Sequence, residues 1–203
     1  MAYILGFFAA DGEMFINSEG SRYVQFTSTD YEILEKIRNL LLAKQKISLK
    51  KKSSKDHKDC YLFQIGSKEM FNDLKRLGFT PKKELNVKLP YMPDRYFNHF
   101  LRGYFDGDGC ISRCYYKKKD RREKSQIVFL VFASGSERFL KAISKRLMKI
   151  LSIGRGYFYS KGNSSWLRYG KREANRICNF MYSDINSICF LNRKYNKFKE
   201  IFN

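Results

Sequence analysis

The spacing of apolar residues predicts an ordered series of helices and strands in the first half of the chain. An apolar segment, residues 2–10, ends at Asp11 and Gly12, and a stretch of both polar and apolar residues follows it. Further on, apolar residues recur every three or four positions, which is typical of a helix. The predicted elements are a helix ending at 11, strands within 13–27 around a turn at 18–20, a helix over 31–42 with Asp30 as N-cap, strands over 46–52 and 61–65, and a helix over 69–77.

The second half repeats this order. Its predicted elements are a helix ending at 108, strands near 111–118 and 126–133, a helix over 137–151, strands near 155–160 and 165–169, a helix near 173–182, and a basic C-terminal helix near 187–201. Only the last has no counterpart in the first half. Two tandem units of helix, two strands, helix, two strands and helix predict an α+β fold with pseudo-symmetric halves, residues 1–90 and 91–203.

A nonapeptide occurs once in each half. Residues 4–12 read ILGFFAADG and residues 101–109 read LRGYFDGDG, at an offset of 97 positions (108 − 11). Small residues four positions apart share one helix face and let two helices approach backbone to backbone. These residues are Gly6 and Ala10 in one copy and Gly103 and Gly107 in the other. We therefore expect the two helices to pack against each other.

Each nonapeptide ends in an aspartate, Asp11 or Asp108, followed by a glycine suited to a left-handed helix end. A carboxylate at a helix C-terminus is unfavourable by about 0.3–1 kcal/mol, and two adjacent carboxylates repel each other. A bound cation relieves both effects, and oxygen ligands favour Mg²⁺, with Mn²⁺ or Ca²⁺ as substitutes. The pattern predicts a metal site with the backbone carbonyls of Ala10 and Gly107 as further candidate ligands. Asp106, which aligns with Ala9, is interpreted as an exposed or structural residue.

The charge of the chain favours a polyanionic partner. Its 203 residues include 40 Lys+Arg and 20 Asp+Glu, for a net charge of +20, and 16% are aromatic. Basic and aromatic side chains together suit a nucleic-acid surface. An anionic membrane surface is the second candidate, but the longest apolar run, residues 2–10, is too short to span a bilayer. The five cysteines form no CxxC pair, so we expect free thiols in a reducing, intracellular compartment, either cytoplasm or organelle.

The two nonapeptides resemble the signature motifs of the LAGLIDADG homing endonucleases, in the form that carries both motifs in one chain. The resemblance covers the whole chain and implies a saddle of two four-stranded antiparallel sheets around a central two-helix interface. It implies a monomer that binds double-stranded DNA through the major groove. It also implies a magnesium-dependent staggered cut with 3′ overhangs at a long asymmetric target, for intron or intein homing.

The same resemblance implies roles for individual residues. Asp11 and Asp108 correspond to the metal ligands. Lys68 and Lys171, at the start of the last helix of each half, correspond to the cation beside the reacting phosphate. Ser28 and Ser134 take the place of a polar side chain, frequently Gln, that precedes the second helix.

Strand alternation predicts which side chains face DNA. Arg, Gln and Asn can bind purine edges, whereas Tyr and Lys more often hold phosphates. Basic runs at 50–52, 117–119 and 121–122 are expected to cross the phosphate backbone. The predicted DNA-facing residues are Asn17, Tyr23, Gln25, Thr27, Lys50 and Lys52 in the first half, and Arg113, Tyr115, Lys117, Arg155, Tyr157 and Tyr159 in the second, with Arg168 near the rim.

Of two other functions on the same scaffold, one remains open at this point and the sequence argues against the second. An intron maturase would bind RNA on the same scaffold without cleaving it, and the motif acids do not distinguish it from a nuclease. A transcription-regulator-like relative would lack those acids or add a helix-turn-helix, and the sequence shows neither change. The basic C-terminal segment from Asn192 onwards is expected to pack on the second half.

Overall fold

The computed structural model describes residues 1–51, 59–81, 87–117, 124–184 and 189–202. Within them, no helix combines the length and apolar character needed to cross a bilayer. The first half contains α1 (Ala2–Asp11), β1 (Gly12–Ile16), β2 (Arg22–Ser28), α2 (Tyr31–Leu40), β3 (Ile47–Lys50), β4 (Cys60–Gly66) and α3 (Lys68–Arg76). The second contains α4 (Phe97–Asp108), β5 (Gly109–Lys117), β6 (Lys124–Ser134), α5 (Glu137–Leu151), β7 (Tyr157–Lys161), β8 (Ser164–Gly170), α6 (Lys171–Met181) and α7 (Asn192–Phe202).

The strands form two antiparallel sheets of four, which confirms the predicted α+β fold. Their orders are β1-β2-β4-β3 and β5-β6-β8-β7, so β2, β4, β6 and β8 are the inner strands. One face of each sheet packs on helices and carries buried apolar residues such as Val24, Phe26, Leu130 and Phe132. The opposite, outward face of each sheet remains available to a partner.

Glycines bring α1 and α4 into direct backbone contact, as the repeated small residues predicted. A Cβ on Gly6 would lie 1.9 Å from the carbonyl oxygen of Phe100, and one on Gly103 would lie 2.0 Å from that of Tyr3. Real Cβ atoms do not approach a carbonyl oxygen so closely, so only glycine fits at these two positions. The contact therefore fixes the position of the two helix ends relative to each other.

Gly12 and Gly109 differ from the prediction. Both are extended, with φ of −92° and −95°, so α1 and α4 run directly into β1 and β5 without a left-handed residue. Glycine is needed there for space, because a Cβ would lie 2.1 Å from the ring of Phe8 or 2.2 Å from that of Phe105.

Some predicted boundaries shift. The strand predicted over 155–160 begins at Tyr157, which leaves Arg155 in the preceding loop, and β3 ends at Lys50. Lys52 and residues 118–123 of the predicted basic loop lie outside the described residues. The C-terminal helix begins at Asn192 and packs on β5, as expected for a helix of the second half.

Candidate metal centre and nucleic-acid interface

The ends of α1 and α4 bring the two motif aspartates to the interface between the halves. A Cβ on Gly107 would lie 3.0 Å from Oδ2 of Asp11, so this carboxylate touches the residue that precedes Asp108. Burial raises the pKa of Tyr104 well above its usual value, and the charges of Asp108 and, more weakly, Asp11 raise it further. The Tyr104 hydroxyl donates to the carbonyl of Ala133 and lies close enough to both carboxylates for their charges to act on it.

A cleft of about 240 Å³ opens beside Asp11. Ser28, at the end of β2, lines it and accepts a hydrogen bond from the amide of Asp30 at 3.1 Å. Ser134, at the end of β6, makes the equivalent bond to the amide of Ser136 at 3.0 Å. The predicted pair of serines thus occupies matching positions in the two halves.

Arg193 of α7 closes one side of this cleft and links the two halves. Its Nε and Nη2 donate to the carboxylate of Asp30 at 2.8–3.1 Å. Asp30 is the N-cap residue of α2, as predicted, but its side chain makes no capping bond because Arg193 holds it. The guanidinium of Arg193 therefore lies in the same cleft as the carboxylate of Asp11.

The donor atoms at the two helix ends fit a hard divalent cation. Within the described residues, no three His, Cys, Asp or Glu side chains gather into a metal site, and the carboxylates at the two helix ends are those of Asp11 and Asp108. Mg²⁺ commonly uses one or two carboxylates and completes its shell with water and phosphate oxygens. The Gly107 carbonyl accepts from the ammonium of Lys194 at 3.0 Å, which uses one of its two lone pairs, so its role as a ligand stays a prediction. The Ala10 carbonyl remains a prediction.

Lys194 is a central residue that the sequence analysis missed. Its buried Nζ donates to the carbonyls of Phe105, Asp106, Gly107 and Gly109 at 2.6–3.0 Å, where α4 ends. Burial lowers its pKa to about 8, although the nearby Asp106 opposes this. The signal was its position in the apolar spacing of α7, three residues after Leu191 and four before Phe198, both buried. The ammonium stabilises the negative end of the helix that carries Asp108.

Replacing Lys194 by Met is expected to destabilise the fold by about 3 kcal/mol, because the carbonyls at the end of α4 lose their donor. Urea unfolding measures the change. Lys197→Met is the matched control, since Lys197 is an exposed lysine of the same helix, and it should change stability little. Equal stability of the two variants would contradict the capping role of Lys194.

Asp106 is a structural residue, in agreement with the prediction. It is only 3% exposed, and its Oδ2 accepts from the Tyr3 hydroxyl at 2.7 Å and the Leu191 amide at 2.9 Å. Burial raises its pKa to about 6. Arg102, one turn earlier in α4, donates to the carbonyls of Cys189 and Met181. These bonds fasten the segment before α7 to the central helices.

The structure does not bring Lys68 or Lys171 to the aspartates. Lys171 Nζ lies 3.4 Å from Oε1 of Gln126. Gln126 is six positions along β6 from Phe132, the partner of Gly109, which corresponds to about 20 Å. Lys68 is exposed, begins the equivalent helix and does not line the cleft. The predicted catalytic role of Lys171 is wrong because α6 starts near the opposite end of the sheet, and the matching position of Lys68 argues against it as well.

The outward face of the first sheet agrees with the predicted alternation. Tyr23, Gln25 and Thr27 alternate with the buried Val24 and Phe26 of β2. The register adds residues that the sequence analysis missed, because pairing between strands cannot be derived from one strand alone. Gln64 lies directly opposite Gln25, Glu13 lies on its other side, and Lys50 on β3 shares the face.

Asn17 continues the outward alternation of β1, but its side chain is already used. Its Oδ1 accepts from the amides of Glu19 and Ser21 at 3.1 and 2.8 Å. These bonds hold the turn between β1 and β2. Only the side-chain NH₂ group of Asn17 is left for a partner.

The second sheet corrects the predicted face of β5. Arg113 pairs with the buried Val128, and its guanidinium bonds to Glu200 of α7 at 2.7 Å, so it faces the helices and not the partner. Tyr115 and Lys117 share its side of the strand by alternation. The prediction failed because the inward-facing residues of β5 begin with the buried Gly109 and continue with every second residue, which includes Arg113. The outward residues of β5 are Cys110, Ser112, Cys114 and Tyr116.

The remaining predicted residues of the second half lie where a partner can reach them. Tyr157 and Tyr159 of β7 are 59% and 39% exposed, and Arg155 is exposed in the loop before them. Arg168 pairs with Tyr157, so it shares the outward face. It belongs to the inner strand β8, however, and lies away from the predicted rim.

The chain is similar to known proteins in both sequence and fold. Residues 1–82 match the LAGLIDADG-like domain family. Over 194 residues the chain is 26% identical to the probable translation initiation factor IF-2 of Methanocaldococcus jannaschii; the match covers 86% of this chain but only 15% of that protein.

Solved structures match nearly the whole chain. The I-LtrWI LAGLIDADG homing endonuclease bound to target DNA has a TM-score of 0.68 at 13% identity, with 99% of this chain and 88% of that one covered. The LAGLIDADG meganuclease I-AabMI bound to uncleaved DNA has a TM-score of 0.65 at 14% identity, with 98% and 87% covered. The first half of the chain thus matches the LAGLIDADG-like domain family, and nearly the whole chain has the fold of LAGLIDADG meganucleases.

Proposed function

We propose that this protein is a site-specific DNA endonuclease that makes a staggered, metal-dependent double-strand cut leaving 3′ overhangs. The observation that carries the proposal is the meeting of Asp11 and the segment Gly107–Asp108 at the ends of α1 and α4. Two carboxylates at the interface between the halves would each act on one strand of the same duplex. Both acids come from one chain, so a monomer is sufficient.

Divalent metal is part of the proposal. Asp11 and Asp108 would hold Mg²⁺, which supplies charge stabilisation for the attacking and leaving oxygens of phosphodiester hydrolysis. Mn²⁺ is expected to substitute, and Ca²⁺ to bind; the I-SmaMI structure with uncleaved DNA target and calcium ions is a fold neighbour at 14% identity. The residues Ser28 and Arg193, which line the cleft, would orient water and phosphate beside Asp11.

Double-stranded DNA is the proposed partner. The net charge of +20 favours a polyanion, and the exposed outward faces offer amide, aromatic and cationic side chains. A role in intron or intein homing belongs to the same proposal. The match to a 15% stretch of a much longer protein is consistent with a coding insertion, and translation initiation is not transferred to this chain.

The decisive experiment is selection of cleaved sites from a random duplex library, with and without Mg²⁺. We expect one long, asymmetric target to be cut only when the metal is present, with 3′ overhangs found by sequencing the ends. Library cleavage that is equal in the presence of a metal chelator would contradict the proposed metal centre. Tighter binding to structured RNA than to any duplex DNA would instead favour the maturase function.

Binding to the selected duplex is expected to depend steeply on salt. If about six phosphates are neutralised, the plot of log affinity against log salt concentration has a slope of about −5. Titrations at several salt concentrations in the presence of a chelator measure binding alone. A slope near zero would contradict a phosphate-spanning interface.

A further inference from the structure

The outward face of the second sheet contains a cluster of aromatic rings around one arginine. The Cζ atom of Arg168 lies 4.5 Å from the ring centre of Phe129, 5.1 Å from that of Tyr157 and 5.8 Å from that of Tyr159. Tyr159 in turn stacks on Trp166 with centres 5.0 Å apart and planes 12° apart. Contacts of a guanidinium with several rings restrict its rotamers before any partner arrives.

The donors of this guanidinium are not used within the described part of the chain. Among the arginines, the hydrogen bonds and ion pairs found there engage Arg38, Arg76, Arg102, Arg113, Arg146, Arg176 and Arg193 but not Arg168. A planar guanidinium carries five N–H donors in a fork that fits two acceptors side by side. Contacts with aromatic rings therefore hold the Arg168 guanidinium in place, while its N–H donors are left for a ligand.

The position of Arg168 favours a base edge over a phosphate. Strands lie about 4.8 Å apart, and the major groove of B-DNA is about 12 Å wide, so about two strands fit between the phosphate walls. In a four-stranded sheet these are the inner strands, here β6 and β8. On a duplex docked in this way, Arg168 on β8 would face the floor of the groove, and β5 and β7 would face the phosphates.

Arg168 also stands alone on this part of the interface. Within the described residues, the outward positions of the four inner strands carry no other Lys or Arg. They carry Tyr23, Gln25 and Thr27 on β2, Cys60, Leu62 and Gln64 on β4, Ser125, Ile127, Phe129, Val131 and Ala133 on β6, and Ser164 and Trp166 beside Arg168 on β8. Apolar side chains contact the thymine methyl group and do not select guanine.

We infer that Arg168 binds the O6 and N7 atoms of one guanine and is the specificity-determining residue for that base pair in the half-site under the second sheet. The inference rests on the proposed function, since it requires duplex DNA on the outward face. The three rings hold the guanidinium ready for two parallel hydrogen bonds, so little rotamer freedom is lost on binding. The surrounding apolar residues restrict this guanine requirement to a single position.

The test is a selection of bound duplexes from a random library, performed with chelator so that binding is read without cleavage. The wild-type protein is expected to require guanine at one position of one half-site. Arg168→Lys keeps the charge but cannot make the bidentate contact, so the preference for guanine should fall by about 5- to 150-fold with little change in the salt slope. Arg168→Ala should lose the same preference.

Arg155→Ala is the matched control, because this exposed arginine lies in the loop before β7. It should weaken binding to all sequences alike and leave the guanine preference intact. An unchanged preference in both Arg168 variants, or equal weakening on every sequence, would overturn the inference while the proposed function stands. Failure of the wild-type protein to bind or cleave any duplex, with or without Mg²⁺, would overturn both.

Discussion

Replacing Asp108 by Asn is expected to slow duplex cleavage by about 1,000-fold or more, with binding to the same duplex retained. Asn has nearly the size of Asp, so the end of α4 keeps its packing. The neutral amide is a much weaker ligand for a hard divalent cation, and charge stabilisation of several kcal/mol is lost from the transition state. Loss of a negative charge beside the phosphates does not weaken DNA binding. Single-turnover cleavage of the selected target and titration with chelator measure the two effects separately.

Asp11→Asn should behave in the same way, because the two helix ends are equivalent across the central interface. The matched control is Asp73→Asn on α3, an exposed aspartate paired with Arg76 on the surface. That variant should cleave at the wild-type rate. If Asp108→Asn cleaved as fast as the Asp73 control, the motif acids would have no role in the reaction.

Gly103→Ala is expected to lower the free energy of unfolding by about 3 kcal/mol, which corresponds to a fall in Tm of about 10 °C. The new Cβ would lie 2.0 Å from the carbonyl oxygen of Tyr3, and both atoms belong to helix backbones that cannot rotate away. The helices must therefore separate, which also moves Asp11 relative to Asp108. Calorimetry measures the loss of stability, and cleavage should fall even below the new Tm.

Gly154→Ala provides the control for this substitution. Nothing lies within 4 Å of a Cβ built on Gly154, and its φ is not in the left-handed region. The control should keep wild-type stability or gain slightly, since alanine restricts the unfolded chain. A Tm of Gly103→Ala equal to that of Gly154→Ala would show that the central helices tolerate separation.

The sequence was sufficient for the fold because the repeat is strong and local. Two copies of one motif at half-chain spacing, each followed by the same order of strands and helices, leave few arrangements of the sheets. The close packing of Gly6 and Gly103 followed from the same observation. Alternation also gave the outward residues Tyr23, Gln25 and Thr27, since buried residues flank them on both sides.

The sequence failed where the answer depends on contacts between distant segments. Arg113 was assigned to the wrong face because the first buried residue of β5 is a glycine, which carries no hydrophobic signal. Lys194 was taken as one more lysine in a basic helix, because burial of its ammonium depends on carbonyls almost ninety positions earlier. Lys171 was placed near the acids by its position at a helix start, which does not show at which end of the sheet that helix begins.

The glycine contact between α1 and α4 has a consequence for recombination of halves. The outward faces lie on the sheets, whereas the halves meet at the backbone contacts of Gly6 and Gly103 and at the Tyr3–Asp106 and Arg193–Asp30 bonds. A chimera that takes one half from another protein with the same small residues should therefore assemble, provided that α7 and its Arg193–Asp30 bond are kept. On the proposed function, the target sequence of each half could then be changed independently of the other.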